Sequence, residues 1–470
     1  MAREGKLIIH KFGGSCLANE EAFAKTLEII KKFSSIPTVV VLSAFKGVTD
    51  KLIDLMTLAL ENIDSARKDC DKLQDFHLEM VNSTIKSMKA VDRAKKFLNE
   101  TFNLLKTALT EIYHSGLPGN IRDYVVSFGE RISTYLFTCF LDSEGMSAMY
   151  FSGDELLTTT SSFGNALPMI EETKEKVSAK LVPVLKKDIL GIVTGYYGED
   201  VNREITTLGR GGSDFTATIL ANSLADLYEP EVMFWKDVDG LLTANPKIET
   251  DARLIKNISY AEAMELAYFG SKVLHPLCLR MIRDKSIPAL IRNFHVDIEK
   301  PYTRISTAKE KSDEIVKAIA CLEHVEMITV EGAAMVSLPG IAARIFDLMA
   351  QKEINILFIS QASSENNITF IVKAEDGNES VETLKNSEFF GKRWFDILKE
   401  DASLIAIVGH GMAYSHGIAG MIFTALGDAR VNVRAIAQGS TELNISIIIS
   451  PSDLTKAVHA IHSRFKLQES

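Results

Sequence analysis

The chain has 470 residues, 46% apolar and 24% charged, and its 52 basic against 62 acidic side chains give a formal charge of −10. That length exceeds what one hydrophobic core serves, so several domains are expected. The acidic balance argues against a general nucleic-acid or anionic-membrane binder, and no apolar run is long enough to span a bilayer.

Residues 6–12 read as a buried strand that runs straight into Lys11-Phe12-Gly13-Gly14-Ser15. Adjacent glycines are costly in regular structure and are tolerated where backbone turns sharply or lies close to something else. Amide groups freed there, with Lys11 beside them, suit an anion; a plain strand-to-helix turn with a surface lysine is the bland alternative. The opening MAREGKLIIHKF becomes strand-like at once, without a secretory signal. Asn19 caps the next helix, in which Phe23, Leu27, Ile30 and Phe33 keep helical spacing up to Pro37. TVVVLSA is a second buried strand, followed by the hydroxyl-bracketed loop Ser43 to Asp50 and another helix, and this alternation predicts a parallel α/β sheet. Residues 64–113 are densely charged with almost no Gly or Pro, which predicts a helical hairpin added to the sheet.

LPGNIRDYVVSFGERISTYLF returns to the α/β pattern, with Glu130 opening a helix after Ser127-Phe128-Gly129. Gly209-Arg210-Gly211-Gly212-Ser213-Asp214 precedes the helix FTATILANSLA; Arg210 offers a fork for a carboxylate or phosphate, and Asp214 can orient a lysine or a metal. Trp235-Lys236-Asp237-Val238-Asp239-Gly240 follows an apolar strand and leads to Asn245-Pro246-Lys247. Residues 259–292 read as helix, turn, helix, strand, and the first domain ends near residue 305. The five cysteines, Cys16, Cys70, Cys139, Cys278 and Cys321, form no CxxC pair and no zinc spacing, so free thiols in a reducing cytosol are expected. The standard phosphate loops, GxxxxGK[ST] and GxGxxG, are absent.

Beyond the first domain lies a repeat. GAAMVSLPGIAARIF at 332–346 matches GHGMAYSHGIAGMIF at 409–423, and NILFISQASSENNITFIV at 355–372 matches NVRAIAQGSTELNISIII at 432–449. Met335/Met412, Gly340/Gly417, Phe346/Phe423, Asn355/Asn432, Gln361/Gln438 and Asn367/Asn444 all keep one offset, 412 − 335 = 77. Two βαββ-type copies are too few for a solenoid and predict a paired module with sheets side by side, serving either dimerisation alone or ligand sensing.

KFGGSC, SFGE, TTLGRGGSD, WKDVDG and FGSKVLHP, in this order and followed by that repeat, resemble the aspartate kinases of the amino acid kinase superfamily, from Lys6 to about Phe465. The absence of a further domain after residue 470 leaves the expectation of the monofunctional type with tandem C-terminal ACT domains. The resemblance implies an α/β amino acid kinase fold over residues 1–305, a parallel-rich sheet with helices on both faces and a helical insert at about 64–120. It also implies two α+β ACT (βαββαβ) domains at 315–395 and 396–466, with strands open to exchange between them. It implies cytoplasmic phosphorylation of the side-chain carboxylate of L-aspartate by ATP with Mg²⁺, the metal held mainly by the ATP phosphates rather than by protein ligands. Lys11 and Asp214 would be catalytic. Lys11, Gly13 and Gly14 would hold the phosphates, with Ser213, Lys236, Asp237, Lys247 and Lys272 on the nucleotide side. Ser43, Thr49, Glu130, Arg210 and the aromatic Tyr196 would receive aspartate. Lysine or threonine, as effector, would bind the first repeat near Met335, Gly340, Ala342, Asn355 and Gln361, in a homodimer or homotetramer joined through the ACT domains. Three departures from the family pattern stand out: Ser15-Cys16 for Thr-Ser, Lys236 for Thr, and Asn245 for Asp. A relative acting on another acid and a non-catalytic amino-acid sensor are the competing readings; intact Lys11, Glu130, Arg210 and Asp214 favour the active kinase.

Overall fold

The structure is a computed structural model that describes residues 4–270, 273–307, 314–332, 335, 338–361, 366–391 and 394–469. The chain divides into two compact units. The first comprises residues 1–241, 256–260 and 273–308; the second comprises residues 242–255, 261–272 and 309–470.

The first unit opens with β1 (Lys6–Phe12), α1 (Glu20–Lys32), β2 (Thr38–Leu42) and α2 (Val48–Glu61). Asn19 caps α1 by accepting a hydrogen bond from the Ala22 amide, and Glu20 and Glu21 occupy its first turn, where a negative charge is favoured. The long amphipathic helices α3 (Ile63–Thr84), α4 (Met88–Ser115) and α5 (Gly119–Ser143) follow. Short elements come next: β3 (Ala148–Phe151), α6 (Gly153–Leu156), α7 (Ile170–Lys180), α8 (Val182–Leu185), β4 (Leu190–Thr194), and the hairpin β5 (Tyr197–Glu199) with β6 (Ile205–Thr207). Then come α9 (Gly212–Leu224), β7 (Glu229–Lys236), β8 (Asn257–Ser259), α10 (Tyr260–Tyr268), α11 (Pro276–Arg283), β9 (Ala289–Asn293) and β10 (Thr303–Ser306). From Ala261 onward α10 belongs to the second unit.

Eight strands form one sheet in the order β3-β4-β2-β1-β7-β9-β10-β8, parallel except where β9 meets β10. The apolar runs of β1, β2 and β4 are buried, as strands covered on both faces must be. Phe12, Leu42, Thr194 and Trp235 lie in register across the centre of the sheet. The residues that follow them therefore emerge together at the carboxyl edge, beside the point where strand order reverses around β1.

The structure corrects the reading of 117–137. From Gly119 onward these residues belong to one continuous helix, so Glu130 sits in the middle of α5 and does not open a helix. Gly129 made the segment look like a turn. Its reason is contact: a Cβ there would stand 2.8 Å from the Ala44 Cβ.

In the second unit, β11 (Ala318–Glu331), α12 (Ile341–Gln351), β12 (Phe358–Gln361), β13 (Asn367–Lys373) and α13 (Gly377–Asn386) form the first copy. The second comprises β14 (Asp396–Val408), α14 (Ile418–Asp428), β15 (Ala435–Gln438), β16 (Asn444–Ile449) and α15 (Leu454–Arg464). The helices α12 and α14 start 418 − 341 = 77 residues apart. The copies share one six-stranded antiparallel sheet, β12-β13-β11-β14-β16-β15. β11 shifts register between Leu322 and Val325, and its two ends serve different copies. Residues 325–331 pair with β13, whereas Ile319 joins the core built by Ile405, Ile447 and Ile461 of the second copy. Reciprocally, Ile397 of β14 packs against the core of the first.

Candidate functional site

A cleft of about 680 Å³ opens at the carboxyl edge of the first unit's sheet. Its walls come from the Lys11–Ser15 turn, the loop after β2, the middle of α5, the turn after β4, the Gly209–Asp214 segment and the end of β7. Of the residues singled out in the sequence, Lys11, Gly13, Gly14, Ser43, Thr49, Glu130, Tyr196, Arg210, Ser213, Asp214, Lys236 and Asp237 all line it. Lys247 does not: it belongs to the second unit, where it is exposed and donates its amide to Asn245 Oδ1 at 3.1 Å. Lys272 lies outside the described residues.

One end of the cleft gathers cations around a single carboxylate. Lys11 Nζ lies 2.9 Å from Asp214 Oδ1, and Lys236 Nζ lies 2.5 Å from Asp214 Oδ2. Burial alone would raise the Asp214 pKa, but the two ammonium groups outweigh it and hold the carboxylate below its ordinary range. Burial lowers Lys236, against the pull of Asp214. Two cations on one anion leave a net positive charge. Asp214 stands in the first turn of α9, entered through Gly211 at φ +75°, so the helix N-terminus adds its own positive field.

Gly14 answers the question of the glycine pair. A Cβ there would sit 2.7 Å from the Ala44 carbonyl oxygen and 3.1 Å from the Lys46 amide. Gly13 has extended backbone and would meet nothing closer than Lys11 Nζ at 3.8 Å. Only Gly14 is demanded by packing; at Gly13 the missing side chain leaves the approach to Lys11 open. The hydroxyl of Ser15 donates to Asp237 Oδ1 at 2.7 Å. That bond and His295 lower the Asp237 pKa against a burial effect that would raise it. Cys16 is buried, which pushes its thiol up to about 11, so it is unreactive packing.

The other end of the cleft is built for a different charge pattern. Glu130 is 4% exposed, and its Oε2 has no hydrogen-bond partner among the described residues. Burial pushes its pKa up to about 8. Arg210 is exposed, and no hydrogen bond or ion pair to a described residue occupies its guanidinium. Tyr196 stands nearby with φ +78°, a conformation that costs a bulky residue energy. Its amide donates to Thr216 Oγ1 and its carbonyl accepts from Leu208, which holds it there. Lys46 and Arg122 also face the cleft and are absent from the sequence-derived set. The signal for Arg122 was its place on the helix of Glu130, about two turns upstream.

A second hollow, about 360 Å³, lies in the second unit and is lined by Met335, Leu338, Pro339, Gly340, Ile341, Ala342, Gln361 and Ile368. Gly340, at φ +88°, opens α12 beside it. Asn355 is exposed and does not contribute to the lining.

Parallel strands thus deliver lysines and a glycine turn to one carboxyl edge of an α/β sheet. Residues 6–293 match the amino acid kinase family, and residues 328–387 and 405–465 each match the ACT domain. The chain belongs to the amino acid kinase family. It is 32% identical over 98% of its length to the bifunctional aspartokinase/homoserine dehydrogenase 1 of Arabidopsis thaliana, covering 51% of that relative. The chain spans about half the length of such bifunctional relatives. Aspartokinase 2 of Arabidopsis thaliana is 31% identical over 97% of this chain and 84% of its own. Aspartokinase III of E. coli shares the fold at 24% identity. Its complex with aspartate and ADP superposes with a TM-score of 0.80 over 97% of this chain and 99% of that one. Its complex with lysine and aspartate gives 0.81 over 98% and 99%.

Proposed function

We propose that this protein is an ATP-dependent aspartate kinase that forms 4-phospho-L-aspartate in the route to lysine, threonine and methionine, and that its ACT pair senses an amino-acid end product. The observation that carries the reading is the polarity of the cleft. One end holds the buried carboxylate of Glu130, whose Oε2 has no hydrogen-bond partner among the described residues, and the guanidinium of Arg210, which no described residue engages; the other holds Lys11 and Lys236 around Asp214 beside Gly14. The first end suits an α-amino acid and the second a polyphosphate. The aspartokinases among the relatives, and the E. coli enzyme that binds aspartate and ADP, support the same assignment.

The side-chain carboxylate of aspartate is ionised at neutral pH, with an ordinary pKa of about 3.9, so its attack needs no general base. Its oxygen bonds to the γ-phosphorus as the bond to the bridging oxygen breaks; the products are an acyl phosphate and ADP, and no proton moves. What the protein supplies is alignment and charge. Glu130 pairs with the α-ammonium and Arg210 with the α-carboxylate, with Ser43, Thr49 and Tyr196 lining that end. Lys11 stabilises charge on the transferring group, and Asp214, kept anionic, orients Lys11 while Lys236 balances it. Gly13, Gly14, Ser213 and Asp237 complete the nucleotide side, and Lys247 and Lys272 are assigned there by the family resemblance alone. Mg²⁺ is assigned by the family resemblance to the nucleotide phosphates, whose charge it would neutralise.

The effector, lysine or threonine, is assigned to the hollow at Met335, Gly340, Ala342 and Gln361. The lysine complex of the E. coli enzyme supports an amino-acid effector. Assembly into a dimer or tetramer through the ACT sheets is supported by the exposed Ile359 and Ile436 on the edge strands β12 and β15. Five free thiols suit a reducing compartment, and the cytoplasm is the location proposed.

A coupled assay for ADP release, comparing aspartate with glutamate, tests the activity. Lys11→Ala should lower turnover on the order of 10²-fold or more, as removal of one preorganised donor does, with folding intact by circular dichroism. A Lys11→Ala protein with near-normal turnover would overturn the assignment.

A further inference from the structure

Three glycines, Gly209, Gly211 and Gly212, surround Arg210, and a segment so rich in glycine does not hold a side chain in place by itself. The hold comes from α5. Asp123 lies on that helix 130 − 123 = 7 residues before Glu130, about two turns away and on the same face. It is 1% exposed, and its Oδ2 accepts the Gly164 and Thr207 amides, each at 2.7 Å. Its Oδ1 has no hydrogen-bond partner among the described residues. A carboxylate buried with one oxygen unpaired costs stability, which points to a task beyond packing. Thr207 ends β6, and its carbonyl accepts the Ala166 amide at 2.9 Å, so the loop at 164–166 and β6 are bound together. The next residue, Leu208, donates its amide to the Tyr196 carbonyl at 2.8 Å. The loop then closes on the turn itself. A Cβ on Gly209, at φ +71°, would stand 2.9 Å from Asn165 Oδ1 and 3.0 Å from the Gly164 carbonyl oxygen. On the other side of Arg210, a Cβ on Gly212 would stand 2.7 Å from Tyr196 Cδ2. A short run of contacts thus leads from Asp123 to both flanks of Arg210.

We propose that Asp123 is a positioning residue: through the Gly164 loop and β6 it fixes the Arg210 turn against α5, and so sets the spacing between Arg210 and Glu130. The proposal rests on the aspartate kinase reading, in which these two side chains receive the α-carboxylate and the α-ammonium of one amino acid. A single carbon joins those two groups, so their receivers must stand at one spacing. The guanidinium of Arg210 is engaged by no described residue, and its backbone seat is what presets it. Where the seat is loose, the substrate must order the turn as it binds, which weakens binding. The nucleotide end is seated separately, since Lys11 and Lys236 rise from the strands β1 and β7.

A double-mutant cycle on the full chain tests this, read by the kinetics of ADP release and by calorimetric titration of ADP. Asp123→Ala should lower kcat/KM for aspartate about tenfold, the scale of one oriented charge-assisted hydrogen bond, and leave the affinity for ADP within about twofold. Asp123→Asn, whose carbonyl oxygen can still accept both amides, should fall between Asp123→Ala and wild type. Arg210→Ala removes what Asp123 positions, so adding Asp123→Ala to it should change kcat/KM for aspartate by less than about twofold. A residue that merely stabilised the fold would act equally in both backgrounds, and additive losses would overturn the proposal. So would an ADP affinity that falls in step with kcat/KM, or an Asp123→Ala protein as active as wild type. If Asp123→Ala does not fold by circular dichroism, Asp123→Asn carries the same cycle and is read by the same criterion. A wild type that released no ADP with aspartate would instead refute the activity reading, and that failure is visible without any variant.

Discussion

Glu130 is held in α5 at 4% exposure, and the desolvation that pushes its pKa up to about 8 has a direct kinetic consequence. At pH 6 the side chain is mostly protonated and has no charge to offer an α-ammonium. As pH rises toward 8 it ionises, and the cleft becomes competent for an amino acid. The KM for aspartate should therefore fall about tenfold per pH unit between pH 6 and 7 and level off above pH 8, while the KM for ATP stays flat. Glu130→Gln should have a high KM for aspartate without that slope. Initial rates across pH 6–9 for both proteins decide the matter; a wild-type KM for aspartate that is flat over this range would refute the role. The sign for folding follows from the same shift. A carboxyl whose folded pKa exceeds its unfolded value of 4.5 makes the native state lose stability as pH rises through about 8.

At the scale of elements, the loop after β2 is clamped by two glycines from different parts of the chain. Gly14 would place a Cβ 2.7 Å from the Ala44 carbonyl oxygen, and Gly129 would place one 2.8 Å from the Ala44 Cβ. Gly129→Ala gains about 1 kcal/mol of helix propensity but overpacks a rigid contact, which costs about 1–3 kcal/mol. The clash should win: the variant should melt lower than wild type and bind aspartate more weakly, because Ser43 and Thr49 ride on the displaced loop. Gly420→Ala in α14 is the matched control, with open space around the added methyl and an expected gain of about 0.5–1 kcal/mol. Thermal melts of the two variants should move in opposite directions; a Gly129→Ala protein stabilised like Gly420→Ala would refute the contact argument. These glycines also mark what the sequence could and could not convey. The apolar runs of β1, β2 and β7 and the repeat offset were legible, because burial and duplication both leave periodic residue patterns. The course of α5 was not, since a glycine kept for close approach looks like one kept for a turn. Asp123 was hidden for a related reason: its role depends on gripping amides at Gly164 and Thr207, contacts far apart in the chain. Lys247 shows how sequence proximity and packing can part. It follows Asp237 closely in sequence, yet Ala244 and Ile248 draw its segment into the core of the second unit.

At the scale of the whole molecule, the question is how a ligand in the second unit changes chemistry in the first. In the hollow at the start of α12, Gly340 opens the helix with amides that have no intrahelical partner, a seat for an effector's carboxylate, while Gln361 on the edge strand β12 offers an amide side chain to its polar end. Gln438 holds the equivalent place on β15, in the second copy. Binding alone inhibits nothing: the effector must bind the inactive arrangement more tightly than the active one, and the ratio of the two affinities sets the largest inhibition possible. Because Gln361 belongs to the second unit and lines its own hollow, Gln361→Ala should weaken inhibition without touching the catalytic cleft. The expected result is an inhibition constant raised about tenfold, the loss of one or two hydrogen bonds, with uninhibited turnover within about twofold of wild type. Lysine and threonine, titrated separately and together against both proteins, identify the effector and test the site at once. If one of them inhibits wild type and Gln361→Ala equally, the hollow is not where it binds. If neither inhibits wild type and neither gives calorimetric heat, both effectors are refuted, and the duplicated sheet is left with assembly as its task.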